Sequence, residues 1–205
     1  MSLPRLFVLS PGTLAEGDVH AFELAARGLV GLDLAVVLRE PNLLDGAYLR
    51  LARSLAAQVP LYLHDRAHLV TAAGARGVHV GFRSLLPDDV RRVGDFPVGL
   101  STHACDDPAT WSAADYLFHG PLKPTPSKRG RVEAVGFDGL ESALRRTDRP
   151  LLALGGISPD DVSACRAAGA HGIAVLSGVW GDDWRSSRPA ANALAYIDAL
   201  VAVDA

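Results

Sequence analysis

The chain has 205 residues, of which 49% are hydrophobic and 21% are charged, and its formal net charge is −3. This is enough chain for one domain with its own core, and it lacks the clustered basic excess of a nucleic-acid-binding surface. No apolar run approaches the roughly 20 residues of a membrane span, and the first residues do not follow the pattern of a secretory signal. We therefore expect a single cytoplasmic domain over 1–205, with no nucleic acid and no membrane as partner.

Taken in chain order, eight short apolar runs have the composition of buried β-strands. They cover residues 5–10, 32–39, 60–65, 77–81, 97–103, 116–122, 150–156 and 172–178. Between them, segments such as 45–58, 87–93, 159–168 and 189–201 place apolar residues at helical spacing. Alternating strands and helices imply a parallel sheet, and eight such units close most naturally into a (β/α)8 TIM barrel. The irregular segment 180–188 is predicted to loop over the rim.

Two cysteines, Cys105 and Cys165, are the only ones in the chain and lie far apart. A disulfide framework needs more cysteines, and a metal site needs close spacing with histidines. We predict that both are plain thiols.

Polar residues concentrate at the C-terminal ends of the predicted strands. In a TIM barrel these ends converge on one face, where ligands bind. The end of run seven is Gly155-Gly156, followed by the helix start Ser158-Pro159, and run eight ends in Ser177-Gly178. Glycines at these two positions let backbone N–H groups approach a phosphate. The loop 123–128 adds Thr125, Ser127 and two lysines, which suit a phosphate-covering loop or a solvated basic loop.

Acidic and imidazole groups at the strand ends are the candidates for chemistry. Asp65, next to His64, suits either a divalent metal or an orienting role. Because Ser84 offers no second carboxylate, we favour the orienting role, with Asp65 paired for instance with Arg66 or Arg39. His79 lies between apolar residues and is predicted to be packed and hydrogen-bonded. The role of His103 stays open. His119 is a candidate acid or base that points either into the mouth or outward.

Ordered motifs along most of the chain resemble thiamine phosphate synthase and its TenI relatives. They are Leu38-Arg39-Glu40, Asp65-Arg66, Gly77-Val78-His79-Val80-Gly81, Ser101-Thr102-His103, Ala114-Asp115-Tyr116, Gly120-Pro121, Pro124-Thr125-Pro126-Ser127-Lys128, Leu154-Gly155-Gly156-Ile157 and Ala174-Val175-Leu176-Ser177-Gly178. The resemblance implies a TIM barrel acting on thiazole phosphate. The synthase joins a pyrimidine diphosphate to that ligand with magnesium and releases pyrophosphate.

The resemblance also implies roles for individual residues. The thiazole phosphate would be held by Thr125, Ser127, Gly156, Leu176 and Ser177, with Gly155 and Gly178 beside them. Arg39, Ser101 and Lys128 would face the diphosphate, and Asp65 would be one of two magnesium carboxylates. Asp65 and Lys128 are candidate catalytic residues, together with His119, which is a candidate through its place near a strand end and not through the resemblance.

Several positions depart from the synthase pattern. Val37 replaces a glutamine, Pro41 a lysine and His64 an asparagine; Ser84 replaces the second metal aspartate, Phe82 a glutamine and Lys123 an aromatic residue. The lost cation and carboxylate weaken neutralisation of a leaving diphosphate. TenI-type tautomerases need no diphosphate, but their catalytic histidine falls where Pro121 stands, two residues after His119.

The leading interpretation is a TenI-like enzyme that aromatises thiazole phosphate carboxylate by proton transfer. One alternative is a thiamine phosphate synthase, and another is a non-catalytic binder or regulator. We expect a phosphorylated thiazole as ligand, no cofactor unless the synthase alternative holds, in which case magnesium, and possible homo-oligomerisation.

Overall fold

The eight predicted strands form a closed parallel barrel in the computed structural model, which describes residues 2–81, 83–125 and 133–204. Each strand pairs with its sequence neighbours, and the last pairs with the first. Every strand lies inside its predicted run. They are β1 Leu6–Leu9, β2 Ala35–Leu38, β3 Leu61–His64, β4 Gly77–Val80, β5 Val98–Thr102, β6 Tyr116–His119, β7 Leu151–Leu154 and β8 Gly172–Val175. The predicted (β/α)8 barrel is confirmed.

Helices connect the strands around the outside of the barrel. In the described part of the chain they are α1 Val19–Ala26, α2 Asp45–Ala56, α3 Val70–Ala73, α4 Pro87–Arg91, α5 Gly136–Leu144, α6 Val162–Ala167, α7 Ser177–Trp180 and α8 Pro189–Asp204. The predicted helical segments correspond to α2, α4, α6 and α8, with a 3-10 turn at Pro159–Asp161 ahead of α6. The helices that were not predicted include the two shortest, α3 and α7.

An aromatic cluster fills the inside of the barrel. The Phe7 ring lies 5.1 to 5.3 Å from the rings of Tyr62, Tyr116 and Phe118, measured between centroids. A Cβ on Gly99 would lie 2.2 Å from the Tyr116 ring and 2.5 Å from His79. Glycine is therefore required at this position of β5, because a side chain would displace the aromatic ring. The interior of the barrel is therefore filled by packed aromatic rings.

A second apolar core lies between the barrel and its helices. Trp180 and Trp184, in the segment predicted to loop over the rim, are buried against Phe22 of α1. The indole N–H of Trp180 donates to the Leu9 carbonyl at 2.8 Å. This segment is therefore packed against the end of β1 and α1 through its tryptophans.

The cysteines and the character of the helices can be compared with the sequence predictions, whereas the domain assignment and the oligomeric state cannot. Both cysteines are free thiols, Cys165 buried on α6 and Cys105 exposed, as predicted. None of the described helices combines the length and apolar character that a membrane span requires. The assignment of 1–205 to one domain and the possible homo-oligomer stay predictions.

Candidate active site

The carboxyl ends of the strands place most of the predicted site residues on one face of the barrel, which we call the mouth. Parallel strands in a closed barrel all point the same way, so the loops that follow them share one end. The predicted residues found at these ends are Arg39, Asp65, Ser101, Thr125, Gly155, Gly156, Leu176, Ser177 and Gly178. Ser127 and Lys128 lie outside the described residues.

Asp65 stands at the centre of a hydrogen-bonded cluster after β3. Its backbone has φ +65°, a left-handed conformation unusual for a residue other than glycine. One carboxylate oxygen lies 2.9 Å from His64 Nδ1, and the other accepts a hydrogen bond from the Ser84 hydroxyl. Ser84 Oγ in turn accepts from the Gly81 N–H at 2.7 Å. Backbone strain held by several partners is frequent at functional sites, so Asp65 stays a candidate site residue.

Hydrogen bonds keep the Asp65 carboxyl ionised. Partial burial alone would raise its pKa, but the bonds from His64 and Ser84, with the electrostatic attraction of His64, outweigh burial and lower the pKa below its usual value. An ionised Asp65 accepts from both partners, so His64 carries its hydrogen on Nδ1. In the neutral form of this imidazole the other ring nitrogen, Nε2, is the hydrogen-bond acceptor, and it lies beside Gly81 at the end of β4.

The expected pairing of Asp65 with Arg66 or Arg39 is wrong. Arg66 turns away toward α2, where its Nε lies 3.2 Å from the Asp45 carboxylate and its guanidinium stacks 3.9 Å from the centre of the Tyr48 ring. The neighbouring imidazole of His64 takes the place of an arginine. The signal available in the sequence was the adjacent polar pair His64-Asp65 at a strand end.

Arg39 lies at the mouth against the loop that follows β1. A Cβ on Gly12 would come within 2.7 Å of a guanidinium nitrogen of Arg39, so glycine leaves room for this side chain. The next residue, Glu40, is buried and accepts hydrogen bonds from the backbone N–H groups of Gly12 and Leu14 at 2.8 and 2.9 Å. Glu40 thus fixes the loop along which the exposed Arg39 side chain lies.

His79 is packed and hydrogen-bonded, as predicted. Its Nε2 lies 2.8 Å from the Ser101 hydroxyl, and its ring stacks on Phe118 with centroids 4.0 Å apart. Burial lowers the pKa of His79 well below its usual value, so the imidazole is neutral. The pair of His79 and Ser101 forms a neutral polar patch under the mouth, next to His64.

His119 does not reach the mouth. Tyr116 and Phe118 belong to the cluster inside the barrel, so alternation turns His119 outward. Its Nδ1 lies 2.9 Å from Thr102 Oγ1, and its ring is 6.0 Å from that of Trp111 on the outer side. Burial lowers its pKa to about 4, so it is neutral. The structure therefore gives no geometric support to His119 as the acid or base of the mouth.

The turn after β7 exposes bare backbone. Gly155 and Gly156 have φ values of +99° and +69°, which side chains rarely adopt. A Cβ on Gly155 would lie 2.8 Å from Pro121, and one on Gly156 would lie 2.8 Å from the Cβ of Lys123. Both glycines are thus demanded by conformation and by the close approach of the loop after β6. We call this segment the glycine turn.

Gly178 has a packing role that the sequence did not reveal. A Cβ on this residue would lie 2.0 Å from the Tyr196 hydroxyl, which donates to the Ile157 carbonyl at 2.8 Å. This contact ties α8 to the residue after the glycine turn. The absence of a side chain at Gly178 is therefore explained without a ligand.

Lys123 is joined to the glycine turn and to the turn before α6. Its N–H donates to the Gly155 carbonyl at 3.0 Å, and its ammonium lies 2.6 Å from the Asp161 carboxylate. Asp161 also accepts from the N–H and hydroxyl of Ser158, at 2.9 and 2.7 Å. Despite partial burial, these bonds from Lys123 and Ser158 lower the pKa of Asp161.

The residues around Asp65 do not fit the two-carboxylate magnesium site that the resemblance implies. Magnesium in proteins is held by oxygen ligands, usually one or two carboxylates. Asp65 is engaged by His64 and Ser84, and Ser84 brings a hydroxyl where the second carboxylate would be. Over residues 2–81, 83–125 and 133–204 no cluster of three or more His, Cys, Asp or Glu side chains is arranged to hold a metal ion.

Comparison with known proteins agrees with the sequence motifs. A family described as "Thiamine monophosphate synthase" matches residues 7–179. A thiamine-phosphate synthase of Koribacter versatilis is 34% identical over 188 residues, covering 86% of this chain and 89% of that protein. One from Chloroflexus aurantiacus is 33% identical over 183 residues, covering 85% and 84%. A solved thiamine phosphate pyrophosphorylase from Pyrococcus furiosus superposes with a TM-score of 0.75 at 22% identity, covering 98% and 96%.

Proposed function

This chain belongs to the thiamine phosphate synthase/TenI family, and we propose on that basis that it is an enzyme of thiamine biosynthesis whose ligand is a phosphorylated thiazole. The match spans most of the barrel and includes the strand ends that form the mouth. An enzyme explains the strained Asp65 and the bare glycine turn better than a regulator does, because both features face the mouth.

The phosphate of the ligand is proposed to bind at the ends of β7 and β8. In TIM barrels the loops after these strands commonly bind phosphate. The glycine turn leaves its backbone uncovered there, and Thr125 lies in the preceding loop. By family resemblance, Gly156, Leu176 and Ser177 contact the phosphate, with Ser127 completing the site.

Proton transfer on a thiazole phosphate carboxylate is the reaction that the geometry supports best. The observation that carries it is the pairing of Asp65 with His64 and Ser84, in place of a second carboxylate. An imidazole oriented by a carboxylate, with its other nitrogen free to accept a proton, is the usual arrangement of a general base.

The proposed step conserves oxidation state. A ring C–H bond of the unaromatised thiazole breaks, and its electron pair enters the conjugated ring system. The proton passes to His64 Nε2 and is returned to another atom of the same system, which leaves an aromatic thiazole. Asp65 stabilises the imidazolium that forms between the two transfers.

Coupling of pyrimidine diphosphate to thiazole phosphate is the second candidate. The comparisons favour it over proton transfer, because the relatives from Koribacter and Chloroflexus carry the synthase name. In this reaction Arg39 and Ser101, with Lys128, would face the diphosphate. The arrangement around Asp65 does not fit the magnesium that the family reaction uses, so the cations Arg39 and Lys128 would have to neutralise the diphosphate, with Ser101 adding a hydrogen bond.

One experiment separates the two reactions. The protein is incubated with thiazole phosphate carboxylate in deuterated water, with and without pyrimidine diphosphate and magnesium, and both products are followed by mass spectrometry. We expect a deuterium-labelled aromatic product that forms without magnesium, and little coupled product. Rapid magnesium-dependent coupling would instead establish the synthase reaction. The matched variant His64→Gln should stop the transfer while leaving thiazole phosphate binding within about twofold of the original.

A further inference from the structure

The distribution of lysine in the chain singles out one loop. Of its 20 basic residues, the sequence places lysine only at Lys123 and Lys128, and every other cation is an arginine. The two differ in chemistry: the lysine ammonium is a compact point charge on a flexible stem, whereas the arginine fork is planar and fixed in its geometry. Flexible cations are thus confined to positions 123 and 128 of the sequence, and Lys123 borders the glycine turn.

The position of Lys123 is fixed at its backbone and adjustable at its ammonium. The backbone is held by the bond to Gly155 and by the close contact with Gly156. The side chain extends to Asp161, yet 44% of it stays exposed to solvent, whereas Asp161 is only 12% exposed. The lysine can therefore leave this carboxylate by rotating its stem, while Asp161 stays bonded to Ser158.

We propose that Lys123 is a phosphate-binding residue of the mouth, whose ammonium moves from Asp161 to the phosphate of the bound ligand. This inference rests on the proposed function, since it assigns a cation to the phosphate that the glycine turn receives. The resemblance implies an aromatic residue at this position, so the contact would be particular to this chain. Until the phosphate arrives, Asp161 holds the ammonium within reach of the turn.

The test compares variants at Lys123 by titration calorimetry with thiazole phosphate and with the same thiazole alcohol lacking phosphate. Lys123→Met should weaken binding of the phosphorylated ligand about tenfold, the lower range for a charge-assisted hydrogen bond at a half-exposed site. Binding of the alcohol should not change. Lys123→Arg should retain part of the affinity. Arg145→Met, which removes an exposed cation paired with Glu141 on α5, is the control and should have no effect.

A variant at Asp161 tests whether the Lys123 ammonium moves from this carboxylate to the phosphate or stays in place. Asp161→Asn keeps an oxygen for Ser158 and removes the charge that holds Lys123. If the ammonium exchanges between partners, this variant should bind thiazole phosphate several-fold more tightly, and the gain should vanish when Lys123→Met is added. A gain that persists in the double variant would show simple repulsion by Asp161, and would overturn the exchange.

The remaining outcomes also decide the inference. Thermal unfolding of each variant checks that the turn is intact, and Lys123→Arg provides a folded variant if Lys123→Met is destabilised. Unchanged affinity of Lys123→Met for thiazole phosphate would refute the role of Lys123 while leaving the proposed function standing. If the original protein binds no thiazole phosphate, the proposed function fails. Inorganic phosphate then serves as the probe, and weaker binding of inorganic phosphate to Lys123→Met would still support the phosphate-binding role of Lys123.

Discussion

Acidification should destabilise the fold through His119. Its pKa is about 4 in the folded protein, because burial disfavours the charged form, against an ordinary value of 6.5. The unfolded chain therefore binds more protons than the folded chain between these values, and the free energy of unfolding falls as pH decreases through this window. The full difference corresponds to about 3 kcal/mol, and lowering the pH from about 7 to about 4.5 should remove about 2 kcal/mol through His119 after allowance for solvent screening, in addition to the loss that buried His79 contributes.

The assay is urea unfolding at both pH values, followed by tryptophan fluorescence, which reports on the buried indoles of Trp111, Trp180 and Trp184. His119→Gln removes the titrating group, so its loss of stability on acidification should be smaller by about 2 kcal/mol. His68→Gln, at an exposed histidine beside Asp45, is the matched control and should behave like the original protein. Parallel losses in the original protein and in His119→Gln would refute the burial of a neutral imidazole at this position.

Three further outcomes are expected at the mouth. Gly156→Leu should abolish thiazole phosphate binding in calorimetry, because the Cβ of the new side chain would collide with Lys123 and because a φ of +69° strains any side chain. Unchanged affinity would exclude the glycine turn as the phosphate site. Ser84→Asp combined with Pro41→Lys should raise magnesium-dependent coupling more than either change alone, and no increase would show that these two positions do not limit it. Magnesium titrated into the unchanged protein without diphosphate should show no saturable binding in calorimetry, and a tight single site would contradict the pairing of Asp65 with His64 and Ser84 in place of a metal.

The barrel could be predicted because its strands are buried on both faces. Such strands read as continuous apolar runs, and all eight strands lie within them. Because these runs are apolar on both faces, the sequence does not show which side chains point into the barrel and which point outward. In β6 the sequence Tyr116-Leu117-Phe118-His119 carries no alternation of polar and apolar residues, so only the packing of Tyr116 and Phe118 inside the barrel decides that His119 points outward.

The sequence predicted which strand ends carry the candidate site residues. It did not predict which side chains these residues contact. Three groups near Asp65, namely His64, Arg66 and Arg39, were all chemically suitable partners. The choice depends on the left-handed backbone at Asp65, on the Ser84 hydroxyl and on the attraction of Arg66 to Asp45, which are contacts between different loops. Gly178 likewise matched a ligand-binding pattern, although its contact with Tyr196 explains it as a packing position.

The confinement of lysine to one loop has a practical consequence for chemical modification. Acylating reagents and reductive methylation act on primary amines and leave guanidinium groups intact. In this sequence the side-chain amines belong only to Lys123 and Lys128. Such reagents therefore address Lys123 beside the glycine turn, with Lys128 and the α-amino group as the other reactive amines. A fluorophore or an isotope-labelled methyl group can thus be introduced next to the mouth of the unmutated protein, with Asp161 positioned to slow the reaction at Lys123 by holding its ammonium in an ion pair.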